Sequence, residues 1–210
     1  VYLPQNLMMV GTVNMDETTH PFSRKVLDRA NAIEMNDIDL AWAPEPAEAQ
    51  PVNGVYADAL LAPFLNSVDL TVEQKAELSD SLDLLKKVNR VLEPAGLHFG
   101  YRVRDEIAFY LTLHKQEQLG QLNGFASEAA LDFQLMQKVL PRIQGSSTAV
   151  LKALIGLISL FSEKPIPETA ELSEVESLVD PEATQYPRSV KKLLFMLQRF
   201  NDDGFTSYWL

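Results

Sequence analysis

Apolar residues at helical spacing run through the chain after residue 70, and this pattern restricts the fold most strongly. Leu78, Leu82, Leu85, Val88 and Leu92 recur every three or four positions. That spacing places the five side chains on one face of an α-helix, where they can pack against a core. The sequence therefore predicts a helical body rather than a sheet for this part of the chain.

Residues that start and stop helices divide the rest of this region. Thr71 and Gln74 form a capping box before the first helix. Further helices are predicted over residues 102–118, over residues 127–140 up to Pro141, from near Ser147, and over residues 188–200 before Gly204. We expect a mostly α fold.

The first 36 residues have a different pattern. Residues 6–14 read as a buried strand that ends on Asn14, Ser23 precedes a short helix, and residues 31–35 read as a second strand. Strand, helix and strand within about 30 residues are typical of an α/β unit with two parallel strands. We predict an α/β piece over 1–36, a linker or insertion over 37–56 and a helical domain over 57–210.

Composition excludes several classes of protein. The net charge of −11 disfavours a general nucleic-acid binder. Cysteine is absent, which excludes thiolate metal sites, and the three histidines are widely spaced, so we expect no metal site. No apolar stretch is long enough to span a membrane. The chain begins on Val1 and enters a predicted strand almost at once, so we expect it to be a fragment.

Asn14 is a candidate catalytic residue. A polar side chain at the carboxyl end of a parallel strand lies where α/β folds bind ligands. An amide can donate and accept hydrogen bonds, which suits orienting a water beside a phosphate. The alternative is an asparagine that only caps the following loop.

Arg29 and Arg24 are candidates for a catalytic arginine. A guanidinium neutralises the charge that develops on a transferring phosphoryl group, and it can act across a subunit interface. The alternatives for Arg29 are an ion pair with Asp28 or Glu34, or a favourable charge at a helix C-terminus.

Arg102 and Arg104 begin a predicted helix after Gly100. Cations oppose the helix dipole at that end, so an anionic ligand would explain them. Pairing with Asp105 and Glu106 is the alternative.

The parts that would hold the nucleotide itself are missing. The sequence contains no Gly-Lys dipeptide and therefore no P-loop, and no apolar strand ends in the paired acids that bind magnesium.

Four stretches together resemble the C-terminal part of a McrB-like AAA+ NTPase, the nucleotide-hydrolysing subunit of a methyl-directed restriction system. They are "VGTVNMDETTHPFSRKVLDRANAIE", "GYRVRDEI", "VLPRIQG" and "SVKKLLFMLQRFNDDGFTSYW". The resemblance implies that Asn14 is sensor 1 and that Arg29, with Arg24 nearby, is the arginine finger. It implies that Arg102 or Arg104 is the sensor 2 arginine of a helical lid, and that the Walker A and B elements lie upstream.

The resemblance also implies the cofactor and partners of the full-length protein. These are ATP or GTP with Mg²⁺, a ring-shaped homo-oligomer such as a hexamer, a nuclease subunit and, indirectly, DNA, in the cytoplasm and without a membrane. The fragment alone is expected to bind nucleotide weakly and to be inactive. The rival hypothesis is a non-enzymatic helical scaffold whose arginines serve only structural pairs.

Overall fold

A computed structural model describes residues 9–15, 22–35, 70–115 and 127–209, and within these ranges the chain is mostly helical. Its α-helices there are α1 (Arg24–Leu27), α2 (Val72–Glu77), α3 (Ser79–Leu92), α4 (Tyr101–Lys115), α5 (Ser127–Gln134), α6 (Thr148–Ser162), α7 (Leu172–Leu178) and α8 (Pro187–Asp203). Short 3₁₀ turns at Glu93–Ala95, Leu140–Arg142 and Pro181–Ala183 join some of them. The predicted mostly α fold is confirmed.

Local sequence sets the helix ends. The Thr71 hydroxyl accepts a hydrogen bond from the Gln74 amide at 3.2 Å, and the Gln74 side chain accepts one from the Thr71 amide at 2.9 Å. This capping box was predicted, and it satisfies two amides that have no partner inside the helix. Gly204 ends α8 with a left-handed φ of 68°, a conformation that glycine adopts without steric cost.

Helix α6 forms the centre of the body because it is apolar on almost every side. It packs against α3 and α8, and Leu154, Ile155 and Ile158 are fully buried. A Cβ added to Gly156 would approach Val91 Cγ1 to 2.8 Å, too close for carbon atoms. The absence of a side chain at this position therefore allows α3 and α6 to approach closely.

The helix predicted over residues 127–140 changes its geometry part-way. Regular α-helix ends at Gln134, and Leu135–Val139 forms a π-helical segment before the 3₁₀ turn that contains Pro141. Proline has no N–H, so residue 141 cannot donate to the carbonyl of Gln137 as the next turn of an α-helix requires. The Gln137 carbonyl instead accepts a hydrogen bond from the amide of Ala32 at 3.2 Å.

The prediction of two parallel strands is not met by the described residues. Residues 9–14 and 31–35 have no regular secondary structure, and the strand pair that the described ranges do contain is antiparallel, with β1 (Gln144–Gly145) beside β2 (Thr206–Ser207). Val10 and Met35 are 92% and 88% exposed. Parallel strands are stable when helices cover both faces of a larger sheet, and these residues have neither cover nor neighbouring strands in the described structure.

Two further predictions concern the ends of elements. The short helix predicted after Ser23 is only four residues long, and the Ser23 side chain makes no capping hydrogen bond. The linker over 37–56, the start of the helical domain at 57–69 and the helix end at 116–118 lie outside the described residues. No helix in the part that the structure describes is long and apolar enough to cross a bilayer.

Candidate functional site

Residues 22–35, which we call the docking segment, contact the helical body at several separate points. At one end the rings of Phe22 and Trp209 meet edge to face with centroids 5.8 Å apart. Near the other end Ala32 donates its amide hydrogen to the carbonyl of Gln137. The segment thus touches both the π-helical region and the C-terminal end of the described chain.

Two ion pairs fix the docking segment between these contacts. Asp28 binds the guanidinium of Arg142, which also donates to the His98 carbonyl at 3.2 Å. Glu34 binds the ammonium of Lys192 at 2.7 Å. The Arg142 side chain is only 4% exposed, and both members of the second pair are largely buried. Because a buried charge without a partner is strongly unfavourable, each cation requires the carboxylate that the segment supplies.

Aromatic rings enclose the second pair. The Lys192 ammonium lies 4.6 Å from the centre of the Tyr208 ring, a cation–π contact. Burial raises the pKa of the Tyr208 hydroxyl far above its ordinary value, and the nearby Glu34 carboxylate adds to the increase. The Tyr208 hydroxyl is therefore uncharged at any physiological pH.

Arg29 lies between the two anchoring carboxylates and is exposed. Its sequence-based alternative was an ion pair with Asp28 or Glu34, but those acids bind Arg142 and Lys192. Within the described ranges the Arg29 side chain has no ion pair or hydrogen bond. Arg29 is thus an exposed cation that no carboxylate of the described residues neutralises.

Arg24, the other candidate of the docking segment, is engaged in a structural contact. Its guanidinium donates to the carbonyl of Gly96 at 2.6 Å. Gly96 adopts a left-handed φ of 64° and closes the 3₁₀ turn that follows α3, so its carbonyl lies beyond the last helical hydrogen bonds. Arg24 therefore stabilises a helix end, which makes it a weaker candidate for a catalytic arginine than Arg29.

The two arginines at the start of α4 differ in the same way. Arg104 binds the Asp105 carboxylate at 2.6 Å and lies over the Tyr101 ring, 4.8 Å from its centre. Arg102 is exposed and has no such partner in the part of the chain that the structure describes. The structural alternative thus applies to Arg104, whereas Arg102 remains available to an anion.

The loop of residues 96–100 brings several of these groups to one region. Arg24 contacts it at Gly96, Arg142 contacts it at His98, and the loop leads directly into α4. The side chain of Asn89 holds its far end by accepting from the Phe99 amide at 2.7 Å and donating to the Phe99 carbonyl at 3.1 Å. The docking segment and the start of α4 are therefore joined through one short, well-bonded loop.

Asn14 lies in the exposed, irregular stretch of residues 9–15. No strand positions it, so the reasoning that placed it at a strand end is not supported by the described residues. Its role as sensor 1 stays a prediction.

Comparison with protein families matches residues 53–205 to the family described as Domain of unknown function (DUF8727). The chain belongs to the DUF8727 family. Nothing matches among curated proteins or among solved structures. The DUF8727 region contains Arg102, Arg142 and Lys192, whereas the docking segment lies before it.

The DUF8727 region also contains a cleft of about 680 Å³ between α2, α3 and α4. Its walls are largely apolar, with Leu78, Leu82 and Leu85 among them, and Arg104 and Lys86 add positive charge. No group of three or more acids and histidines that could hold a metal ion occurs in the described ranges. Because Arg104 is paired with Asp105, which also lines the cleft, and Lys86 is paired with Asp83, the candidate cations without a carboxylate partner in the described ranges are Arg29 and Arg102.

Sequence reasoning did not identify the buried cations of the DUF8727 region. Arg142 and Lys192 position the docking segment, and Lys138, whose side chain is fully buried, binds Glu106. One signal was present, because Lys138 and Arg142 interrupt the apolar run "LMQKVLPRI". A cation inside such a run must be paired when the run is buried.

Proposed function

We propose that this DUF8727 chain is the C-terminal part of an AAA+ NTPase of the McrB-like restriction type. In this function Arg29 is the arginine finger, Asn14 is sensor 1, and Arg102 rather than Arg104 is sensor 2. The observation that carries the proposal is the state of Arg29, which is exposed and has no ion pair among the residues that the structure describes, where Asp28 and Glu34 bind Arg142 and Lys192 instead.

Exposed apolar residues of the N-terminal part give further support. Met9, Val10, Ile33 and Met35 are largely exposed although they lie in the stretches that the sequence predicts as strands. In the proposed full-length protein the α/β core covers these exposed side chains. The Walker A and B elements lie in that same core and hold ATP or GTP with Mg²⁺.

Arg29 acts on the nucleotide of the neighbouring subunit in a ring-shaped homo-oligomer. A finger stabilises charge that develops only in the transition state, so it raises the hydrolysis rate and contributes little to nucleotide binding. Hydrolysis is coupled to work on DNA together with a nuclease subunit, as the resemblance implies.

Substitution of Arg29 in the full-length protein tests this function. We expect Arg29→Ala to lower the hydrolysis rate by about 10³-fold, while nucleotide affinity stays nearly unchanged. Lys25→Ala is the matched control, because Lys25 is an exposed cation of the short helix α1 that precedes Arg29, and it should leave the rate unchanged.

A mixing experiment tests the action across the interface. Arg29→Ala subunits retain the P-loop, and P-loop mutants retain Arg29, so mixed rings contain some complete sites. We expect the mixture to recover part of the activity. Normal hydrolysis by Arg29→Ala alone would favour the scaffold alternative, and a mixture as inactive as its components would exclude the action in trans.

A further inference from the structure

We propose that Arg142 and Lys192 are positioning residues for Arg29, so that the helical body of one subunit controls the finger it presents to the next. The catalytic half of this inference rests on the function proposed above. Its structural half concerns only the contacts between the docking segment and the helical body.

The two ion pairs bracket Arg29 on both sides. Asp28 directly precedes it, and Glu34 follows five residues later. Helix α1 has only four residues and ends just before Asp28, and so short a helix has little stability of its own. The position of Arg29 is therefore determined by the anchors around it, and these anchors are the carboxylates bound to Arg142 and Lys192.

The cations are held more firmly than the segment they bind. Arg142 is buried in the turn that follows the π-helical segment and is fixed by its second hydrogen bond, to the His98 carbonyl. Lys192 lies on α8, enclosed by the ring of Tyr208. A third contact comes from the carbonyl of Gln137, which accepts from the Ala32 amide. The helical body thus supplies two buried cations and one backbone carbonyl to which the docking segment binds.

The same contacts connect the finger with the start of α4. The His98 carbonyl belongs to the loop that leads to Arg102, and Arg142 joins this loop to Asp28. The contacts that hold Arg29 and the loop that leads to Arg102 therefore meet at one side chain, Arg142.

Neutral substitutions of the two carboxylates test the inference while retaining side-chain shape. In the full-length protein we expect Asp28→Asn and Glu34→Gln to increase the hydrogen exchange rate of the Ala32 amide at least tenfold, with exchange in α6 unchanged. We expect kcat to fall at least tenfold with KM nearly constant. Asp28→Glu should restore much of kcat because it keeps the charge, and Asp80→Asn, at an exposed acid of α3, is the control.

Two outcomes would overturn the inference. One is Ala32 exchange that stays at the wild-type rate in both variants. The other is faster exchange with unchanged kcat, which would mean that docking does not position the finger. A wild-type protein without hydrolysis would refute the proposed function itself and would be recognised before any variant is measured, so the two failures are distinct.

Discussion

Replacing Glu106 by glutamine should destabilise the fold much more than replacing its partner Lys138 by methionine. The Lys138 side chain has 0% exposure and binds the Glu106 carboxylate, which is 35% exposed. Glu106→Gln leaves a buried ammonium without a counter-charge, whereas Lys138→Met leaves a carboxylate that water can reach. The two substitutions break the same contact, but only Glu106→Gln leaves a buried charge without a partner.

The magnitudes follow from this difference in burial. Removing one partner of a fully buried ion pair costs about 3–5 kcal/mol, because the remaining charge loses its compensation. Glu106 is partly hydrated, and the glutamine oxygen can still accept a hydrogen bond, so we expect a loss of about 2–3 kcal/mol in the free energy of unfolding. Replacing the buried charge by an apolar side chain of similar length is often neutral, so Lys138→Met should change stability by less than about 1 kcal/mol.

Thermal and urea unfolding of the single and double variants measure these values. For a chain of this size, about 1 kcal/mol corresponds to 2–4 °C, so Glu106→Gln should lower the Tm by roughly 4–12 °C. The control is Asp83→Asn, which removes a carboxylate from an exposed ion pair with Lys86 and should leave the Tm unchanged. A Tm loss as large for Lys138→Met as for Glu106→Gln would refute the reasoning from burial.

Three further outcomes are expected. Calorimetric titration of the chain with ATP or GTP and Mg²⁺ should give a Kd weaker than about 1 μM, because the P-loop is missing and such affinity needs about 8 kcal/mol; tighter binding would contradict the proposed division of the site. Asn14→Ala in the full-length protein should lower turnover and leave affinity and Tm unchanged, because the side chain is exposed; a large fall in Tm would instead indicate a structural cap. Tyr208 stays neutral in the folded state beyond pH 10, whereas the unfolded chain ionises there, so stability should fall as the pH rises above about 10. Tyr208→Phe should remove part of that alkaline loss in pH-dependent unfolding, and an unchanged pH dependence would contradict the burial of this hydroxyl.

Helices were predictable here because their signals are local. The capping box of Thr71 and Gln74, the helix start near Ser147 and the stop at Gly204 depend on neighbours within a few residues, and the structure confirms all three. The π-helical segment before Pro141 was not predicted. One of its carbonyl groups, that of Gln137, accepts a hydrogen bond from the distant Ala32 amide, and periodicity does not report such contacts.

The predicted strands failed for a related reason. Strand formation depends on partners elsewhere in a sheet, so the apolar run ending at Asn14 indicated only a tendency. The candidate arginines were found by residue type and spacing, but their pairing was not. Asp28 and Arg142 lie 114 positions apart, and Glu34 and Lys192 lie 158 apart, so only the fold could show which acids were already neutralised and which arginines were not.

The DUF8727 match begins after the two acids that neutralise its buried cations. The matched region, residues 53–205, contains Arg142 and Lys192, but the carboxylates that neutralise them, Asp28 and Glu34, lie before it. Burying an unpaired cation costs several kcal/mol, a large share of the stability of a typical domain. Two buried cations of the DUF8727 region therefore take their counter-charges from the docking segment, and a unit in which both are paired includes residues 22–35. That unit contains both Arg29 and Arg102.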